Sequence, residues 1–307
     1  MSSSPSGPPY APKIPQSGLT PTVSVDVPIC AVLVAMFVCG AVANMTILQV
    51  NLRRGHKFIP SGALFGFCMA RTTACSLRIA WAVHPDNVRL LIASSILVRA
   101  GVLLLFILNL LFLQRILRAL HPSWAWRDSL RYAFRALYVS VALVLFMTIA
   151  CVVYTYYTLD VGILAKLRNV LRTSGVYLLF VSFIPIPGIL IALVLPRRTE
   201  IEPFGQGSLR TKIALVLFTT TLLTLGSAFR AADAFLPSAP GNPHWYNEKP
   251  AFYCFNFVIE IIVTYTYILV RFDRRFHIPN GSSGPGHYSG GIKPPTSSTD
   301  EVDETKT

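Results

Sequence analysis

Four residues that could do chemistry share one face of an apolar stretch. Cys68, Arg71, Cys75 and Arg78 stand 3, 4 and 3 positions apart, the spacing that lines one side of a helix. The stretch around them, residues 59–83, is mostly apolar and about the length that crosses a bilayer. A charge left in hydrocarbon costs about 2.5–3.5 kcal/mol on insertion scales, so this face must meet protein, water or a counter-charge. Arginine's planar fork suits a carboxylate or a phosphate. The chemistry on offer is recognition of an anion.

More charge lies inside other apolar stretches: Arg99, Arg230, Asp233 and Glu260, with the amide Asn256 one turn before Glu260. At 1.5 Å of rise per residue, Arg78 and Arg230 fall roughly 8 Å below the outer membrane boundary, Arg99 and Glu260 roughly 14 Å, and Arg71 roughly 18 Å. Arginines outnumber acids in that half of the bundle. Two readings follow. In one, the charges form a structural network, Arg230 with Asp233 along one helix and Glu260 with an arginine across helices. In the other, unpaired arginine lines a cavity for a lipid headgroup or an anionic amphipathic ligand. Depth leaves Glu260 to pair with Arg71 or Arg99, and Arg78 free to face the ligand.

No enzyme signature accompanies these charges. The six histidines include no i, i+4 pair that would hold zinc. There is no P-loop and no G-x-S-x-G. The expectation is a protein that is not an enzyme and carries no catalytic, cofactor-binding or metal site.

The elements that position the charges follow from composition. Hydrophobic residues make up 53% and charged residues 13%, against about 25% charged in soluble domains. That predicts an all-α, polytopic bundle of seven transmembrane helices, at about 27–50, 59–83, 90–113, 136–157, 174–195, 213–235 and 251–270. Ile184-Pro185-Ile186-Pro187-Gly188 should kink the fifth. The net charge of +13 does not point to nucleic acid, because the basic residues collect in short loops between spans. Arg53, Arg54, Arg115, Arg118, Arg131, Arg271 and Arg274 crowd one side, while Arg89, Lys166, Arg168 and Lys249 are on the other. The bias predicts an amino terminus outside and a carboxyl terminus in the cytosol, with the plasma membrane as the default location.

Residues 1–26 and 276–307 are rich in Ser, Pro and Gly and read as disordered tails flanking the membrane domain, 27–275. The first has no basic n-region and does not read as a signal peptide. The six cysteines fall in or beside spans and read as small packing residues, with a Cys30–Cys254 bridge as the one alternative.

Several runs carry a resemblance: RGHKF at Arg54–Phe58, LRIAWA at Leu77–Ala82, QRILRALHP at Gln114–Pro122, RTKIAL at Arg210–Leu215, FYCFNFVIE at Phe252–Glu260 and the run Arg271–Ser289. Together they resemble a fungal family of multi-pass membrane proteins described only as a domain of unknown function. More distantly, Phe229, Arg230, Asp233, Glu248, Tyr253, Phe255 and Asn256 resemble a pattern of the fungal lipid-translocating exporter-like, sterol-stress resistance family, with Asp233 in place of Glu and Asn256 in place of Asp. The first resemblance implies an architecture and no activity, and the second a link to lipid export. The expected function is transport or handling of a lipid or amphipathic anion within the lipid bilayer. The alternative is a seven-helix ligand-sensing receptor that signals through its basic cytosolic loops.

Overall fold

The computed structural model describes residues 7–10, 17–196, 200–236 and 244–289, and among these it is helical without strands. An apolar stretch leaves the backbone no hydrogen-bond partner but itself, so each one coils until a cap or a break stops it. α1 spans Asp26–Arg53 and α2 spans Ile59–Val83. The Asn87 side chain accepts from the Arg89 and Leu90 N–H groups and starts α3, Val88–Gly101. α4, Leu103–Leu120, continues it past a break at Val102, and α5 is Asp128–Thr155. Asp160 caps α6, Val161–Phe183, which hands over to α7, Pro185–Val194, at Ile184. Ser208 caps α8, Leu209–Phe235. α9, Lys249–Tyr253, passes through a π turn at Cys254–Val258 into α10, Ile259–Leu269. The short α11 is Phe272–Arg275.

Six of these stretches are long and apolar enough to cross a membrane: α1, α3–α4, α5, α6–α7, α8 and α9–α10. They are consistent with a multi-pass membrane protein. The sequence predicts seven. α2 has the length, 25 residues, but Arg71 and Arg78 hold its hydropathy below that of the six. α6 also begins far earlier than the expected residue 174, because the Asp160 cap starts it and its first turns carry Lys166, Arg168 and Arg172. Those charges hide the helix from a reading by hydropathy.

Helix ends alternate along the chain. Asp26, Arg78 and Lys249 therefore meet at one end of the bundle, and Asn51 and Asp273 meet at the other. Segments expected to be disordered are packed at both ends where they are described. At the Asp26 end, Gly18 N–H donates to the Asn247 carbonyl at 2.9 Å. Gly18 sits at φ +79 on the Phe252 ring, so close that a Cβ would come within 2.5 Å of it. At the Asp273 end, Phe276 stacks on Phe112 at 4.3 Å. Tyr288 N–H donates to Glu202 Oε1 at 2.7 Å, and its ring meets Trp126 at 5.2 Å. A few aromatic anchors order residues 276–289, which their Gly, Ser and Pro content conceals. The remainder of the two tails, residues 1–6, 11–16 and 290–307, lies outside the described residues.

Candidate functional site

The expected ligand-facing arginine, Arg78, is fully engaged. Its Nη2 donates to Asp26 Oδ1 at 3.0 Å and to the Gly18 carbonyl at 2.7 Å. Its Nε donates to Tyr253 Oη at 2.9 Å, and Tyr253 in turn donates to Asp26 Oδ1 at 2.7 Å. The other Asp26 oxygen accepts from Lys249 Nζ at 2.6 Å and from Thr22 N–H at 2.8 Å. Asp26 is 0% exposed and Arg78 3%, and the guanidinium lies 4.4 Å over Phe252. Arg78 is thus one member of a closed knot that ties residues 17–26 to α2 and α9. The reading that left it free fails because Asp26, taken as the end of a tail, is the first residue of α1.

Arg71 makes a second knot deeper in the bundle. Its Nη2 is 2.5 Å from Glu260 Oε1, with both side chains closed to solvent. Its Nη1 donates to the Val98 carbonyl at 2.8 Å and the Leu97 carbonyl at 3.2 Å. Where α3 breaks, the Val102 N–H turns to the Ala100 carbonyl. Arg71 supplies the missing donor, which explains why the chain tolerates a break there. Gly101 leaves the room, since a Cβ on it would lie 3.2 Å from Arg71 Cζ.

Arg230 reaches the same carboxylate oxygen, 3.8 Å from Glu260 Oε1. It also donates to Asn256 Oδ1 at 3.3 Å and Ser227 Oγ at 3.4 Å. The π turn carries Asn256, and Gly226 lets that turn close on α8, with the Phe255 carbonyl 3.0 Å from where a Cβ would stand. These contacts draw Arg230 away from Asp233, so the expected pair along one helix does not form. Asp233 instead lies within electrostatic reach of Arg99 across helices, without an ion pair between them.

A pocket opens beside Arg230, bounded by α3–α4, α5, α6 and α8. Its cavity volume is about 60 Å³. Two guanidiniums line it, Arg99 and Arg230, among apolar residues such as Leu103, Phe106, Leu145 and Leu178. Arg99 makes no hydrogen bond or ion pair among the described residues. Thr148 also lines the pocket, 8% exposed, and its hydroxyl has no partner. Other helical threonines bond back to the preceding turn, as Thr72 does to Cys68 and Thr155 to Cys151. Thr148 thus keeps a buried, unpartnered hydroxyl in the wall of the pocket.

The structure therefore brings Arg71, Arg230, Asn256 and Glu260 together, puts Arg99 and Arg230 on a pocket, and sets Arg78 apart. Sequence reasoning missed Asp26, Lys249 and Thr148 as site residues and reached Tyr253 only through the distant resemblance. Asp26 had a signal, being the only acidic residue before Asp86; Thr148 had none. Cys30 and Cys254 are both free thiols. Cys30 is buried at 3.3 Å from the Tyr253 hydroxyl, whereas Cys254, the next residue, is exposed on the opposite side of the turn.

Among known proteins, a family described as a protein of unknown function (DUF3112) matches residues 204–277. That stretch carries Arg230, Asp233, Asn256 and Glu260, and leaves Arg71, Arg78 and Arg99 outside it. No curated protein and no solved structure matches the chain.

Proposed function

We propose that the chain is a seven-helix membrane protein that binds an anionic amphiphile, a lipid or lipid-like molecule, in the pocket between α3–α4, α5, α6 and α8, and carries it within or across the bilayer. One observation bears most of the weight: Arg99, Arg230 and Thr148, whose hydroxyl has no partner, line a space whose other walls are mostly apolar. Pockets of this composition hold a hydrophobic body and fix one polar end. Guanidinium forks and a hydroxyl donor suit an anion's oxygens.

α2 is the seventh span in this reading. Protein sheathes both of its arginines, Arg71 at 0% and Arg78 at 3% exposure, so α2 can present its remaining apolar surface to lipid without presenting charge. The basic residues around Arg53, Arg131, Arg271 and Arg274 support an orientation with the Asp273 end in the cytosol and the Asp26 end outside. The plasma membrane is the proposed location.

The test uses purified protein in liposomes and a labelled single-chain anionic lipid. Wild-type protein should speed its movement between leaflets, and Arg99→Gln should abolish the gain while leaving the thermal transition in place. Binding without movement would replace transport by ligand sensing, with the basic loops at the Asp273 end as the coupling surface. No Arg99-dependent binding at all would remove the reading.

A further inference from the structure

Residues 276–289 lie across the Asp273 end of the bundle as a strap, fastened at both ends and in the middle. Phe276 stacks on Phe112, and its carbonyl accepts from Arg115 Nη1. Asn280 is bonded both ways to the loop before α2, its Nδ2 donating to the Gly55 carbonyl at 2.8 Å and its Oδ1 accepting from Lys57 N–H at 3.4 Å. Arg131 Nη2 donates to the Ser283 carbonyl at 3.4 Å, and Tyr288 closes the strap on Trp126 and Glu202. None of this depends on the pocket or on what it binds.

Histidines sit at the fastenings, in contacts that suit only neutral rings. The His277 and His56 ring centroids are 4.4 Å apart, and His277 Nε2 is buried with no hydrogen-bond partner among the described residues. Protons on both would set two cations against each other, beside the guanidinium that holds the Phe276 carbonyl. Within the strap, His287 Nδ1 accepts from Ser283 N–H at 3.2 Å, so a proton on that nitrogen would turn donor against donor. The other charges around these rings are mostly positive. Arg54 and Lys57 flank His56 in sequence, α4 brings Arg115, and α5 brings Arg131, paired with Asp128. The acids are already engaged: Asp273 by Arg271 and Asn51, and Glu202 by Tyr288 N–H. Burial, then His56 and Arg115, hold the His277 imidazole below its ordinary 6.5. A base held low by docking adds stability that is full above its free value and is lost as pH falls through the docked one. We propose that residues 276–289 are a proton-operated latch, docked on the bundle end at neutral pH and released on acidification as His56, His277 and His287 take up charge.

The experiment is amide hydrogen exchange on the full chain in nanodiscs at pH 7.5 and 5.5, corrected for the intrinsic pH dependence of exchange. Peptides from 276–289 should lose about tenfold in protection for each imidazole that docking keeps neutral, because pH 5.5 lies about one unit below the ordinary histidine value. Peptides from α1 and α10 should keep theirs. The triple variant His56→Phe, His277→Phe, His287→Asn retains rings at the first two positions and an oxygen acceptor at the third, with no proton to gain. Its strap should stay protected at both pH values. His277→Lys places a fixed charge at the same fastening and should release the strap already at pH 7.5, with α1 and α10 still protected. Equal protection of 276–289 at both pH values in the wild type would overturn the latch. So would a triple variant that keeps the wild-type response, or a strap that loses protection only together with α1 and α10.

Discussion

Arg71 and Glu260 face each other at 2.5 Å in the middle of the bundle, and neither side chain is open to solvent. The Arg71 Nε and the Glu260 Oε2 have no hydrogen-bond partner. The pair joins α2 to α10, and through the Val98 carbonyl it also holds the broken end of α3. Its members come from stretches far apart in sequence, so it exists only once the helices have assembled.

Removing one side of this pair strands the other charge. Glu260→Gln should therefore destabilise the protein by about 3–5 kcal/mol, read as a lower thermal transition in detergent. The double variant Arg71→Met with Glu260→Gln should recover part of the loss. A single variant as stable as wild type would show that the pair contributes nothing.

Arg78 should behave the same way. Arg78→Gln leaves Asp26 buried with Lys249 and Tyr253 as its remaining side-chain partners at α9, and it frees the Gly18 carbonyl. A stability loss of about 3–5 kcal/mol is expected, together with faster proteolysis within residues 17–25. If cleavage in this segment stays at the wild-type rate, Arg78 does not hold it down.

The segment after α11 gives a truncation test. Ending the chain after Ser289 should leave the thermal transition unchanged, whereas ending it after Arg275 removes the buried Phe276 and Tyr288 rings. Phe276→Ala alone should cost about 3–5 kcal/mol, the range for a buried phenylalanine. Equal stability of both truncations would show that the packing of 276–289 carries no weight.

Asp273 supplies a pH dependence. Burial pushes its carboxyl up, but hydrogen bonds from Arg271 and Asn51 outweigh that and hold it below its ordinary value of 3.8. A carboxyl lowered on folding adds stability that is fully present above the unfolded value and is lost as pH falls through the folded one. Asp273→Asn should be less stable than wild type at pH 7, and the gap should close as pH drops below about 4. A gap that persists unchanged at pH 3 would point to a packing role for this side chain.

Orientation has its own check. Asn280-Gly281-Ser282 is a glycosylation sequon in the segment at the Asp273 end. With that end in the cytosol, protein made in a eukaryotic secretory system should carry no glycan on Asn280. A glycan there would invert the bundle.

Much of this molecule is legible residue by residue. The apolar runs set the helices, because a stretch such as 59–83 has one way to satisfy its backbone away from water, and α2 begins and ends where the sequence places it. Asn87, Asp160 and Ser208 are local cap signals, each acting within three residues. That the arginines had to meet protein was also a local deduction, since their cost in hydrocarbon depends on no neighbour. Which partner each one takes was not local. Arg78 could have met a ligand, but residues 17–26 fold back and deliver Asp26 to it. Arg230 and Asp233 are one turn apart on α8, yet the π turn presents Asn256 and α10 presents Glu260 to Arg230, and the pair with Asp233 does not form. Thr148 looks like any helical threonine until α3, α6 and α8 close around it. Composition and period set the elements because those depend on each residue's own cost of leaving water. Pairing depends on distances between helices, and those distances arise only when the bundle packs.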